Sequence, residues 1–564
     1  MTREHRLVAL VTATAAGRVA AAELEQRWDN VRRYDVADVS RAWASCDALV
    51  CFLAVGAVVR LLAPLLADKR TDPGVVCVDE ARRFAVAVVG GHGGGANDLA
   101  TRVGEALGAT VVLTTASDAV GIPGLDELGW PVEGDCAAVG RAMLDGEPVV
   151  LVAEETWPLP ALPVRVLAPG ASGPAPCLVV TDRLVEPPRP AAVLRPPSLV
   201  VGVGASRGVP AEEVRTLVAA ALAEAGLAAA SIAELATVDA KSAEEGICAA
   251  ARTLGVPLRS YPAARLAAVP VPHPSATVQA AVGTPSVAEA AALADGGTLV
   301  LPKRRSAMAT VAIARRRPRG RLALVGLGPG ARDLLTPRAV DMLRRSAVVV
   351  GLDRYLDQIA DVVRPGTRMI ASGLGAEEER ARTAVELARA GHAVALVGGG
   401  DAGVYALAGP ALALADDSIE VVGVPGITAA LAVAARLGAP LGHDHCAISL
   451  SDLHTPWELI ERRVRAAAEA EFVVSFYNPR SGGRGWQLEA ALAVLREHRP
   501  GQTPVGVVSD VDRPEERVLL TTLADVDVTT VGMTTLVVVG SSASRLHAGR
   551  FVTPRGYRWD ARSC

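Results

Sequence analysis

The stretch LALVGLGPGARDLLTPRAVDMLRRSAVVVG, residues 322–351, decides the fold of the C-terminal half. Its Leu/Val run predicts a buried strand over Leu322–Val325, closed by the turn Gly326-Leu327-Gly328-Pro329-Gly330. A helix is expected from Thr336-Pro337, a good N-cap followed by Pro at the first helical position. A second buried strand follows at Ala347–Val350. Strand, turn, helix and strand in this order predict a parallel sheet covered by helices. Proline inside the turn is wrong for the dinucleotide fingerprint G-x-G-x-x-G, which argues against an NAD(P)-dependent oxidoreductase.

Two further glycine turns follow strands downstream. ALVGGGDAGVYALAG holds Gly398-Gly399-Gly400-Asp401 and Gly403-Val404-Tyr405, and VVGVPGITAALAVAARLGAPL spans residues 421–441. Glycines at the C-terminal ends of strands let backbone approach a ligand closely.

Working outward, 564 residues exceed a single hydrophobic core, so two to four domains are expected. Short Val-rich runs alternate with Ala/Leu/Glu/Arg segments along the whole chain, so the fold class is multidomain α/β with parallel sheets. Buried-type strands include Leu49–Val55, Ala85–Val89, Leu199–Val203, Ala393–Val397 and Leu536–Val539. Residues 210–226 predict an amphipathic helix, with Val214, Leu217, Val218, Ala221 and Leu222 on one face. Residues 157–198 are rich in proline and predict a strand-poor connector or small irregular domain. The run ARRRPRGR, 314–321, reads as a solvated linker. These joints divide the chain into 1–125, 126–195, 196–317 and 320–564, the last with lobes at about 320–440 and 445–564.

A net charge of -4 gives no general attraction for nucleic acid or anionic lipid. The eight cysteines form no CxxC pair and read as reduced thiols. No apolar run reaches the roughly 20 residues that span a bilayer, and MTREHRLVAL lacks the pattern of a signal peptide. A cytoplasmic protein without nucleic-acid or membrane partners is the expectation.

The N-terminal half carries a second pair of polar loops. In FAVAVVGGHGGGANDLATRVGEALGATVVLTTASDAVGI, residues 84–122, a strand leads into a glycine-rich loop holding His92, and Asn97 or Asp98 can cap the helix after it. The next strand ends at Thr114-Thr115-Ala116-Ser117-Asp118. Loops at the C-terminal ends of neighbouring strands are where open α/β sheets place ligands. His92 can carry a proton near neutral pH, and with no metal partners in view a metal site is not expected. Further on come VGVGASRG (201–208), DAKSAEEG (239–246), VGTPSVAEAAAL (282–293) and ATVAIA (309–314).

The turns GxGPG…LT, GGDxGVY and PGITA, in this order, resemble the tetrapyrrole (corrin/porphyrin) methylase family. SLSDLHTPWELIERRVRAAAEAEFVVSFYNPRS (449–481), TTL (521–523) and TPRGY (553–557) narrow the likeness to precorrin-3B C-17 methyltransferases. The resemblance implies a two-lobed fold with S-adenosyl-L-methionine as methyl donor. Its donor site would be lined by Pro329, Gly399, Gly400, Asp401, Val404, Thr428, Ala429, Tyr477 and Thr521. Asp353 becomes a candidate base or orienting group, and Arg480, Arg484 and Arg463 candidates for the substrate's acetate and propionate arms. Cobalt is expected only as part of the substrate, and a homodimer through the methylase domain is implied.

The motifs of residues 1–317 resemble cobalt-precorrin-5A hydrolase. That reaction opens a δ-lactone with water and expels acetaldehyde, so it needs an activated water and a proton source. His92, Asp118, Lys241 and Glu245 are the catalytic candidates by residue type and loop position, and Arg207 or Lys241 could instead anchor substrate carboxylates. Nothing resembles a Ser/His/Asp triad or a G-x-S-x-G elbow. The combined expectation is a multifunctional enzyme of cobalamin biosynthesis acting on small tetrapyrroles. The alternatives are a methyltransferase fused to a non-catalytic tetrapyrrole-binding module, or an oxidoreductase.

Overall fold

The computed structural model describes residues 7–68, 71–91, 94–115, 120–167, 175–481 and 484–556. The chain divides into two compact units, Met1–Glu155 with Leu162–Pro318, and Thr156–Ala161 with Arg319–Cys564.

The first unit is built on three sheets. The first has the order Val31–Asp35, Val8–Thr12, Ala48–Phe52, Gly74–Val78, Phe84–Val89, Thr110–Val112. Only Gly74–Val78 and Phe84–Val89 pair antiparallel. Its central strands bury both faces, with Leu10, Val50 and Phe52 in one core and Leu49, Cys51 and Val75 in the other. This is why they read as unbroken apolar runs instead of alternating ones.

The proline-rich stretch was expected to be strand-poor, and here the structure corrects the sequence reading. It holds the strands Val164–Leu167, Cys177–Val180 and Ala191–Leu194, which with Val132–Gly134 and Val149–Ala153 upstream form a five-stranded sheet in the order Val132–Gly134, Ala191–Leu194, Cys177–Val180, Val149–Ala153, Val164–Leu167. The strands are short and none contains a proline; the prolines lie between them, where no ladder N–H is needed. Proline density therefore marked the connections and hid the strands.

The third sheet runs Leu258–Tyr261, Ile232–Val238, Leu199–Ala205, Ala309–Arg315, Thr298–Arg305, with its last two strands antiparallel to their neighbours. Leu199, Val201 and Val203 pack beneath the helices Ala211–Glu224 and Glu245–Leu254. Val200 faces the opposite core with Val287, Ala290 and Ala291. A Cβ on Gly202 would lie 1.9 Å from the Ala288 carbonyl, so the helix Val287–Leu293 rests directly on this strand. Buried Asp182 joins the second sheet to the third by accepting from Arg315 Nε at 2.6 Å and Nη2 at 2.7 Å.

In the second unit the first lobe is a wholly parallel sheet, ordered Arg368–Ser372, Val348–Leu352, Ala393–Gly398, Arg321–Gly326, Glu420–Val424. The second lobe departs from the all-parallel expectation. Its order is His445–Ser449, Val473–Tyr477, Thr535–Val539, Pro504–Ser509, Arg517–Thr522, and only the first pair is parallel. The short link between Ser509 and Arg517 leaves no room for the crossover a parallel pair requires. Among the described residues no helix is long and apolar enough to cross a membrane.

Candidate functional site

The three glycine turns of the second unit close on one another. Gly328 N donates to Gly400 O at 3.0 Å, and Gly400 N donates back to Gly328 O at 2.7 Å. A Cβ on Gly426 would stand 2.1 Å from Gly400 O and 2.7 Å from the Gly326 carbonyl carbon, so only glycine lets these backbones touch. Gly328 and Gly400 also take positive φ, 74° and 69°. The turns follow strands Arg321–Gly326, Ala393–Gly398 and Glu420–Val424, which are adjacent in the parallel sheet. Their meeting at the carboxyl edge is a consequence of strand order.

Asp401 ties two of the turns together. Its Oδ1 accepts from Gly403 N at 2.8 Å and its Oδ2 from Gly426 N at 2.9 Å. Both carboxylate oxygens are thus engaged by backbone, and the residue shapes the loops. Gly399 lies under the Tyr355 ring, where a Cβ would be 2.7 Å from the phenol oxygen. Pro329 is buried, and its carbonyl accepts from Arg513 Nε at 3.2 Å. Arg513 drew no attention in the sequence, because nothing local links it to a turn 184 residues away.

Thr428 N-caps the helix Ala429–Leu437 without a side-chain cap hydrogen bond. Its Oγ1 instead meets the Tyr477 hydroxyl at 2.6 Å, and that hydroxyl also accepts from Ala430 N at 3.0 Å. The Tyr477 and Tyr405 ring centroids are 5.0 Å apart, and the Tyr405 hydroxyl donates to Ala447 O at 2.8 Å. Tyr405 takes φ 50° and Asn478 φ 48°, left-handed conformations that bulky residues hold only when their surroundings enforce them. Val404 is half-buried in the second turn, its N–H on Asp401 O. Thr521 is half-buried on the strand Arg517–Thr522, which packs against the helix after Thr428.

The candidate arginines are partly committed to the chain itself. Arg480 Nη1 donates to Val528 O at 2.9 Å, and Arg484 Nη1 to Leu450 O and Asn478 O at 3.3 Å. Arg463 is exposed on the helix Trp457–Glu469. Asp353 is the exposed first residue of the helix Asp353–Ile359, at the same carboxyl edge as the glycine turns.

In the first unit, His92 and Asp118 fall outside the described residues. Their flanking segments do meet: Asn97 Nδ2 donates to Thr115 Oγ1 at 3.1 Å, and Ala96 N and Asn97 N each donate at 3.0 Å to Gly90 O and Gly91 O. The helix Ala96–Leu107 is N-capped by Gly95, at φ 77°, so neither Asn97 nor Asp98 is the cap.

On the third sheet, Glu245 and its neighbour Glu244 face different ways. Glu245 pairs with Arg252 across the exposed surface of their helix. Its neighbour Glu244 turns inward, accepting from Gly208 N at 2.7 Å and from Lys241 Nζ at 3.1 Å. These bonds, the Gly208 amide first, hold the Glu244 carboxyl below its usual range, with exposed Arg207 adding to the effect. Adjacent glutamates at a helix start differ by about 100° of rotation, so the sequence alone did not say which faced the loop.

Comparison with known proteins follows this division. The profile of the Tetrapyrrole (Corrin/Porphyrin) Methylases matches residues 321–527, Cobalamin synthesis G C-terminus matches 199–314, and Cobalamin synthesis G N-terminal matches 38–118. A probable cobalt-factor III C(17)-methyltransferase of Salmonella typhimurium is 46% identical over 239 residues, 42% of this chain and 99% of the relative. A precorrin-3B C(17)-methyltransferase of Sinorhizobium is 43% identical over 40% of this chain and 91% of its own length. Among solved structures, that of the methyltransferase CobJ is 38% identical and covers 42% of this chain and 100% of its own, with a TM-score of 0.40. With its glycine turns inside the matched segment, the chain belongs to the tetrapyrrole methylase family, and the same polypeptide carries two segments similar to the N-terminal and C-terminal parts of cobalamin synthesis G.

Proposed function

We propose that this chain catalyses two steps of cobalamin biosynthesis. Residues 320–564 methylate C-17 of precorrin-3B or cobalt-factor III with ring contraction, using S-adenosylmethionine. Residues 1–317 open the δ-lactone of cobalt-precorrin-5A and release acetaldehyde. The observation that carries the reading is the closure of Gly326, Gly400 and Gly426 on one another inside the segment matched by the methylase profile.

The residues present fit the donor. Gly399, Gly400, Gly403 and Ala429 put almost no side chain into the space between the turns. At the start of the helix Ala429–Leu437, Ala430 N goes to the Tyr477 hydroxyl and Leu431 N to Thr428 O, so Ala429 N is the amide that suits a carboxylate such as that of an amino acid. The donor supplies an activated methyl on a sulfonium, and its transfer is an in-line displacement in which the protein chiefly positions the two partners. Pro329, Gly399, Gly400, Val404, Thr428, Ala429, Tyr477 and Thr521 line the donor site, while Asp401 holds the second and third turns in register. Asp353 orients substrate at the same edge, and Arg463, Arg480 and Arg484 offer their remaining N–H groups to substrate carboxylates.

In the hydrolase part, His92, Asp118, Lys241 and Glu245 are the catalytic candidates and Arg207 a substrate anchor, with Glu244 positioning Lys241. C-17 methylation with ring contraction creates the δ-lactone that the hydrolase opens, which gives the fusion a metabolic logic. The protein works in the cytoplasm as a homodimer through its methylase part, with domains at 1–125, 126–195, 196–317 and 320–564. Cobalt enters only with the substrate. The full chain, incubated with donor and the trimethylated precursor with and without cobalt, should yield a product heavier by one methyl group. Given the later lactone, it should release acetaldehyde. Corrinoid binding without either turnover would instead favour a tetrapyrrole-binding module and refute the proposal.

A further inference from the structure

Within residues 196–317 a second polar centre joins His273, which lies outside the quoted motifs, to Glu289 of VGTPSVAEAAAL. His273 follows the helix Ala263–Ala267, and Glu289 lies on the helix Val287–Leu293. Glu289 Oε1 is 2.8 Å from His273 Nδ1 and accepts from Lys303 N at 3.0 Å, while Oε2 accepts from His273 N at 3.1 Å. The Glu289 side chain has 0% of its surface exposed, whereas that of His273 has 57%. A carboxylate is buried at this depth only when hydrogen bonds replace its water. Burial pushes the Glu289 carboxyl up, but the bonds from Lys303 N and the His273 ring and amide outweigh it and hold the group below its ordinary range.

An ionised carboxylate only accepts, so the imidazole carries its proton on Nδ1. Nε2 is therefore the basic nitrogen of a side chain that is more than half exposed. A buried acid fixing the tautomer and orientation of an exposed imidazole is the arrangement that general-base catalysis requires. The centre also lies at the ligand-binding edge of its sheet. The helix that carries Glu289 begins over Gly204, whose Cβ position is 3.3 Å from Val287 Cβ. Gly204 lies near the carboxyl end of the strand Leu199–Ala205, which leads straight into Arg207 and the Gly208–Glu244 contact. Both polar clusters thus occupy one edge of the sheet, on its opposite faces.

Resting on the hydrolase reading, we infer that His273 is the general base that activates water for lactone opening and that Glu289 is its positioning residue. Water donates a proton to His273 Nε2 as its oxygen bonds to the lactone carbonyl carbon. The tetrahedral intermediate then collapses with cleavage of the ring C–O bond. The departing alkoxide takes the proton back from Nε2, leaving a carboxylic acid, a free hydroxyl and a neutral imidazole. Lys303 Nζ, which donates to His273 O at 2.9 Å, keeps the loop carrying the base in place.

The test uses the full chain and the δ-lactone corrinoid, with acetaldehyde trapped and the opened acid weighed. General bases contribute about 10²–10⁴-fold, so His273→Ala should lower kcat by that factor with KM within about twofold. Free imidazole should restore part of the loss. His273→Gln keeps a hydrogen-bonding side chain but no base and should remain as slow. Glu289→Gln should lower kcat with little change in KM, and circular dichroism checks that each variant is folded. Wild-type turnover in His273→Ala, or in His273→Gln, overturns the assignment while leaving the hydrolase reading intact. A wild-type chain that opens no lactone overturns both.

Discussion

Removing the Asp401 carboxylate tests whether the residue shapes the donor site or contacts the donor. In the structure its two oxygens accept from Gly403 N at 2.8 Å and Gly426 N at 2.9 Å, linking the second glycine turn to the third. A hydrogen bond to a charged group is worth about 1.5–3 kcal/mol. Two bonds to one carboxylate are not independent, so Asp401→Ala should cost about 2–4 kcal/mol of turn order. On the proposal that these turns hold the donor, the loss should appear as a ~30- to 1,000-fold weaker Kd for S-adenosylhomocysteine. Asp401→Asn retains one acceptor oxygen and should fall between, about tenfold weaker than wild type. Direct pairing with the donor's ammonium would instead make Asn nearly as damaging as Ala, because both remove the charge. Isothermal titration of the full chain, with circular dichroism as a folding control, measures all three proteins. A Kd for Asp401→Ala within about twofold of wild type would refute the reasoning.

Gly202→Ala should destabilise the first unit by about 1–3 kcal/mol or more, because the new methyl meets the Ala288 carbonyl at 1.9 Å. An unchanged urea midpoint for this unit would contradict the direct seating of helix on strand. Glu244→Ala should slow lactone opening by releasing Gly208 and Lys241, whereas Glu245→Ala, which loses only an exposed pair, should not. Equal effects in the two variants would count against the inward role of Glu244. Hydrogen bonds from the Ser418 side chain and backbone, and then Arg389, hold the Asp416 carboxyl down at about 2, below the usual aspartate range. A depressed carboxyl stabilises the fold above its unfolded pKa and loses that contribution as pH falls through the folded value. The stability difference between wild type and Asp416→Asn should therefore shrink as acid titration proceeds from about 4 to about 2. A difference that stays constant across that window would show no linkage.

The amino-acid sequence by itself determined the α/β class and the buried strands of the parallel sheets. The runs at Leu49–Val55, Leu199–Val203, Leu322–Val325 and Ala393–Val397 each meet a strand, because burial on both faces writes a local apolar signature. The three glycine turns were legible for a similar reason, since a positive φ or a close backbone approach leaves glycine at the position. Tertiary structure alone decided what lies across the chain or depends on side-chain direction. It set five strands among the prolines of residues 126–195 and turned the second methylase lobe largely antiparallel. It committed both oxygens of Asp401 to backbone amides, one of them 25 residues away. It turned Glu244 towards Gly208 and left Glu245 on the exposed surface, and it brought His273 to Glu289 through a contact spanning 16 residues. Backbone conformation is governed mostly by neighbouring residues, whereas a carboxylate's partner is chosen by whatever the fold carries within about 3 Å of it.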